Sequence, residues 1–200
     1  MLTDFDGVIR QWPAPFAQSI EDRYGLERGS LARAAFAETI LDDAITGRVS
    51  DSEWRERIAL RLGSHTDPAT AAAAVAAWSA SPGEVEPGAL SVLQKARSVA
   101  ALGLVTNATS RLADDLSRLG LDDAFEFIVN SAAIGCAKPS ACFYEHALRR
   151  CECDRAEVLF VDDRLENVAA AIEFGFRGHH FRDPASLQQV LRGCGVIREE

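Results

Sequence analysis

Apolar positions along the chain follow two rhythms, and the change falls near residue 84. From residue 14 to about 80 they recur at helical spacing. FAQSIEDRYG sets Phe16, Ile20 and Tyr24 four apart and ends at Gly25. Ser30 is a candidate cap for one helix over LARAAFAETILDDAI. Ser50 precedes a second helix, DSEWRERIALRLG, and Glu53 three residues on completes a capping box. Asp67 and Pro68 suit the cap and first position of an alanine-rich helix. SPGEVEPG (81–88), with two prolines and two glycines, reads as a linker or hinge. Beyond it, the segments 101–107, 126–131, 157–163 and 178–181 read as strands. They alternate with helical patterns in GALSVLQKAR, TSRLADDLSRLG, SACFYEHALRR, LENVAAAIEFG and DPASLQQVLRG.

This βαβα alternation predicts an α/β fold, a Rossmann-like parallel sheet with helices on both faces. The first strand, in residues 1–9, is short: only Met1, Leu2 and Thr3 precede Asp4. The expected division is a core of 1–12 and 84–200 with a helical insertion, 13–83. Sites in such sheets form at the carboxyl ends of strands. Three predicted strands end in polar groups: Asp4 and Asp6, Thr106 and Asn107, Asp162 and Asp163. Lys138, in GCAKPSACF, can join them from a fourth segment. Asp4 and Asp6, two apart, share a face of the strand. Two like charges so placed call for a cation, a shared proton or a ligand.

A net charge of -9 argues against broad nucleic-acid or anionic-membrane binding, though not against a local pocket for a small anion. No run approaches the roughly 20 apolar residues that span a bilayer. The start MLTDF has no basic and apolar leader pattern, so the expectation is a cytoplasmic protein. Five cysteines without a CxxC pair fit reduced thiols. There are nineteen arginines but only two lysines, Lys95 and Lys138. A lysine retained in such a chain points to a need for a compact charge.

DFDGV resembles motif I of the haloacid dehalogenase superfamily, and LVTN resembles its motif II. Lys138 in AKPS resembles the motif III lysine, and VLFVDDRLENVAAAIEFG resembles motif IV in its DDxxxN form. All four stand in the family's order across nearly the whole chain. The helical insertion after motif I resembles a C1 cap. The resemblance implies a phosphatase acting on a small phosphorylated molecule, with sugar phosphates as the family-level expectation. Asp4 would be the nucleophile, and Asp6 the general acid and then the base. Thr106 with Asn107 would hold phosphoryl oxygens, and Lys138 would offset the charge on Asp4 and phosphate. Mg²⁺ would be bound by Asp4, the Asp6 main-chain carbonyl and Asp163, with Asp162 as second ligand or water holder.

Asp6 favours phosphate-ester hydrolysis over dehalogenation, which needs no protonated leaving oxygen. A phosphomutase, a dehalogenase, a phospho-acceptor switch and a non-catalytic binding module remain the alternatives. Arg10 is a candidate contact to the distal part of a substrate, although a solvated arginine is the expected reading. Trp12, Trp54, Trp78 and Tyr24 read as packing. His179 and His180 read as structural residues on opposite faces of a strand.

Overall fold

The computed structural model describes residues 1–197. In chain order the elements are β1 (Leu2–Thr3), β2 (Arg10–Gln11), α1 (Phe16–Tyr24), α2 (Ser30–Ala35), α3 (Glu38–Ile45), α4 (Asp51–Gly63) and α5 (Pro68–Ser79). They continue with β3 (Glu84–Val85), α6 (Pro87–Ala96), β4 (Gly103–Thr106), α7 (Leu112–Arg118), β5 (Phe127–Asn130) and α8 (Ser131–Ile134). The last are α9 (Ala141–Cys151), β6 (Leu159–Asp162), α10 (Leu165–Phe174), β7 (Arg177–His180) and α11 (Pro184–Gly193).

The expected parallel sheet is present, in the order β5-β4-β1-β6-β7. Alternate strand residues point to opposite faces. Leu104 and Val161 therefore join one apolar cluster, under α6, α7 and α11. Leu2, Val105 and Phe160 join the other, under α9 and α10. The two-residue β1 lies at the centre, paired to β4 and to β6. The Asp4 amide donates to the Val161 carbonyl at 2.8 Å, and Gly103 donates to Met1 at 2.9 Å. Pairing on both sides thus holds a strand of minimal length, and the backbone entering Asp4 is fixed.

Helices α1–α5 lie between β2 and β3 and bury a cluster of their own around Leu31, Trp54, Ile58 and Ala74. The Ser50–Glu53 capping box forms as read, and the Asp67 carboxylate accepts from Thr70. The single helix expected after Ser30 is instead two. Trp54 Nε1 donates to the Ala35 carbonyl at 3.2 Å, and Ala37 is extended. Ser30 is the first helical residue rather than the cap. The buried Glu21 carboxylate caps that end from α1, accepting from Gly29 and Leu31 at 2.8 and 2.9 Å.

The stretch read as a hinge contains β3, which pairs antiparallel with β2. This ribbon ties together the two chain crossings between sheet and helical insert. Cys136 and Cys142 form a disulfide, which corrects the expectation of reduced thiols throughout. The loop between them folds back before α9 and brings their Cα atoms to 6.3 Å, within bonding reach. Cys151, Cys153 and Cys194 are free. No helix among the described residues is long and apolar enough to cross a membrane.

Candidate active site

The carboxyl ends of β1, β4 and β6 adjoin in the sheet, and Asp4, Thr106 and Asp163 line one cavity of about 410 Å³ there. Lys138 reaches it from the loop before α9. Its ammonium, all but fully buried, sits 2.8 Å from Asp4 Oδ1 and 2.6 Å from Asp162 Oδ2. It also donates to the Val105 carbonyl at 3.1 Å. Burial alone would lower the lysine pKa, but the two carboxylates outweigh it and raise it. Asp4 goes the other way from an ordinary carboxylate. Burial pushes it up to about 7, reinforced by Asp162 and opposed by Lys138.

The two acids ending β6 are placed differently. Asp162 is wholly buried and surrounded by donors. Besides Lys138, it accepts from the Arg164 amide at 2.8 Å and from Asn167 Nδ2 at 3.0 and 3.1 Å. Asp163 is exposed and lines the cavity, next to Gly7. Gly7 has φ +79°, and a Cβ there would stand 2.1 Å from Asp163 Oδ2. Only glycine lets the motif I turn and this carboxylate approach so closely. Asp163 is also raised, by burial first and then by Asp162.

Ligand oxygens of Asp4, Asp162 and Asp163 lie within 4.8 Å of one another. An all-carboxylate donor set of this size fits a hard divalent cation such as Mg²⁺. Asp4 and Asp163 are raised by burial first and by neighbouring carboxylates after it, and a bound cation would favour the charged form of both. The Asp6 side chain stands outside this group. Arg10 Nε and one terminal nitrogen grip its two oxygens at 2.7 Å each, and Trp12 Nε1 donates to Oδ1 at 3.0 Å.

Arg10 is therefore not the solvated arginine expected. It is 6% exposed, stacked 4.4 Å over the Phe5 ring, and paired at 2.8 Å with Asp115. Asn107 lines the cavity, and its side chain is bonded to the lysine loop. Its amide oxygen accepts from the Lys138 backbone amide at 2.8 Å, and its nitrogen donates to the Lys138 carbonyl at 2.9 Å. Both functions of Asn107 thus pin the lysine loop. The Thr106 hydroxyl is buried and without a hydrogen-bond partner. Asn167 and Asp115 were not among the candidates. The DDxxxN spacing carries a signal for Asn167, which faces Asp162 from the first turn of α10. Asp115 lies 105 residues from Arg10, and nothing local marks their pairing.

His180 Nε2 lies 2.9 Å from the Asp163 carbonyl. His179 is lowered by burial and by His180, and its Nε2 is buried without a partner.

Residues 2–175 match the haloacid dehalogenase-like hydrolase family. The chain belongs to that family. Among curated relatives of this haloacid dehalogenase-like hydrolase, the sesquiterpene phosphatase astK of Aspergillus oryzae is 44% identical over 75 residues. That match takes in 36% of this chain and 38% of the relative. The pyrimidine 5′-nucleotidase YjjG of Escherichia coli is 35% identical over 109 residues, 50% of this chain and 48% of the relative. The chain thus spans about half, or less, of the length of these relatives. A HAD family enzyme from Bacteroides thetaiotaomicron, solved with magnesium and inorganic phosphate, shares the fold at a TM-score of 0.71 and 19% identity. The superposition covers 89% of this chain and 91% of that one.

Proposed function

We propose that this hydrolase is a Mg²⁺-dependent phosphatase that cleaves a small phosphate monoester through an aspartyl phosphate on Asp4. The observation that carries the reading is the partnerless Thr106 hydroxyl, buried at the wall that also presents Asp4 and Lys138. A buried hydroxyl without a partner is costly unless a ligand satisfies it. An incoming phosphoryl oxygen would do so, with Lys138 supplying positive charge. The relatives named as phosphatase and nucleotidase, and the neighbour holding magnesium and phosphate, support the same class.

Both fixed contacts of Asp4 fall on Oδ1: the Phe5 amide at 2.7 Å and Lys138 at 2.8 Å. Oδ2 is then the oxygen that bonds to phosphorus as the phosphorus–oxygen bond to the leaving group breaks. The leaving oxygen takes a proton from Asp6. Water next attacks phosphorus, gives its proton to Asp6, and the bond from phosphorus to Asp4 breaks. Asp6 Oδ1 accepts two hydrogen bonds and Oδ2 one, so Oδ2 is the oxygen that exchanges the proton, once its single contact to Arg10 opens. Bound Mg²⁺, held by Asp4, Asp163 and the Asp6 carbonyl, would neutralise the crowded acids and the phosphate. Asp162, within 4.8 Å of the Asp4 and Asp163 oxygens, would complete that donor set or hold a bound water, and it also orients Lys138.

The test is phosphate release from p-nitrophenyl phosphate, with and without Mg²⁺, in wild type and Asp4→Asn. Metal-dependent turnover that the variant loses by at least about 10³-fold supports the assignment. Turnover near wild type in the variant would remove Asp4 as nucleophile.

A further inference from the structure

A second cavity, of about 740 Å³, lies between the helical insert and the sheet. It shares Asp6, Arg10, Trp12 and Asn107 with the cavity over Asp4, so the two adjoin at these side chains. Its walls are mostly aromatic and aliphatic. All three tryptophans of the chain line it. Trp78 stands between Trp54 and Phe36, with ring centres 5.9 and 6.4 Å away. Trp12 stacks on Phe16 at 6.4 Å. Phe36 is 58% exposed and Trp12 43%, so each ring keeps an uncovered apolar face beside this space.

The charged groups of the wall already have partners. Arg10 holds Asp6 and Asp115. Arg111 pairs with Asp115 and donates to the Ser79 carbonyl at 2.8 Å. Asp51 pairs with Arg55 and accepts from the Thr109 hydroxyl at 2.8 Å. The Trp12 and Trp54 indole nitrogens donate to Asp6 and to the Ala35 carbonyl. A sugar or a base seated here would lose water from its polar edges and gain few hydrogen bonds in return. An alkyl chain would lose only unfavourable hydration. The volume is that of a small-molecule site.

We propose that the leaving group seated in this cavity is apolar, so that the preferred substrate is an alkyl or arylalkyl phosphate monoester rather than a sugar phosphate or nucleotide. This rests on the phosphatase reading above, because the phosphate end lies at Asp4 and Thr106. Asp6, on the wall common to both cavities, stands where phosphate and leaving group join. Family-level expectation favours sugar phosphates, and the wall chemistry argues against them.

The test is kcat/KM with Mg²⁺ for ethyl, butyl, hexyl, octyl and decyl phosphate, beside ribose 5-phosphate and acetyl phosphate. A buried methylene is worth about 0.8 kcal/mol, so each added one should raise kcat/KM about threefold to fourfold until the cavity is full. Ribose 5-phosphate should trail octyl phosphate by more than about 100-fold on the same arithmetic. Phe36→Ala, at an exposed position, should lower the decyl-to-ethyl ratio, and Phe36→Asp should lower it further. A flat series, or preference for ribose 5-phosphate, while acetyl phosphate turns over would overturn the apolar leaving group and leave the phosphatase standing. If folded protein hydrolyses none of these, the phosphatase reading fails instead. Binding then decides the cavity separately. Decylphosphonate should shift tryptophan fluorescence at far lower concentration than ethylphosphonate, since all three reporters line the wall. Equal concentrations for both would overturn the proposal.

Discussion

Two buried cations flank the candidate site, and each lies between two carboxylates. Lys138 joins Asp4 to Asp162, and Arg10 joins Asp6 to Asp115. The difference lies in how much of the acid each leaves exposed to chemistry. The lysine is a point charge and touches Asp4 through Oδ1 alone. The guanidinium is a planar fork and grips both oxygens of Asp6. The first arrangement suits an acid that must form a bond. The second suits an acid that must be aimed, and that changes partners when its proton moves. In a sequence with nineteen arginines, the cation beside Asp4 is a lysine, which suits the proposed attack by the Asp4 oxygen it leaves uncontacted.

The largest effect should come from removing the point charge. Lys138→Met leaves Asp4 and Asp162 facing each other with no cation between them. Turnover of p-nitrophenyl phosphate at saturating Mg²⁺ should fall about 10²–10³-fold, the usual cost of losing one preorganised charge at a developing anion. Metal-free protein should also lose roughly 3–5 kcal/mol of stability by urea unfolding, as when one partner of a buried ion pair is deleted. A fall of less than tenfold in kcat would mean that Lys138 holds the fold together but does not serve the reaction.

Why Lys138 could be read from sequence and its counterpart could not follows from the distances involved. Asp4, Thr106 and Asp163 terminate strands, and the strand-end rule fixes where they converge. Lys138 follows in a loop whose motif order matched the family. The pairing of Arg10 with Asp115 depends on the packing of α7 against the motif I turn, which no local pattern records. The exposure of Phe36 was hidden in the same way. It follows from a break between α2 and α3, and that break comes with an indole from α4 taking the Ala35 carbonyl. The β2–β3 ribbon, two residues on each side, is too short to show any periodicity. Helix ends with local chemistry, such as the Ser50–Glu53 box, were legible because cap and partner lie three residues apart.

A smaller effect should follow from turning the fork into a point contact. Arg10→Lys keeps the charge but cannot hold both Asp6 oxygens and Asp115 in the same geometry. Misplacing Asp6 should slow the water step with any substrate, and should slow transfer to Asp4 only where the leaving oxygen needs a proton. Single-turnover transfer from an alkyl phosphate should fall about tenfold, while the burst of p-nitrophenolate, which leaves without a proton, should change less than about threefold. Equal losses on both substrates would assign Arg10 to folding or binding and remove its role in aiming Asp6.

The smallest effect is on stability, and it asks how open the lysine arrangement is. Burial holds Asp4 up to about 7 in the folded chain, against 3.8 for an ordinary aspartate. Between those values the folded state binds a proton that the unfolded state has released. The metal-free fold should therefore have the full contribution of this group below about pH 4 and lose it as pH rises towards 7 and beyond. Asp4→Asn removes the titrating group, so its urea midpoint should decline less between pH 5 and 8 than that of wild type. Saturating Mg²⁺ should flatten the wild-type profile too, because an ion held by the ionised carboxylate favours the folded state at the upper end of that range. Superimposable wild-type and Asp4→Asn profiles without metal would mean that Lys138 outweighs burial at Asp4. The lysine arrangement would then be a closed ion pair, no more open to a phosphate than the arginine one.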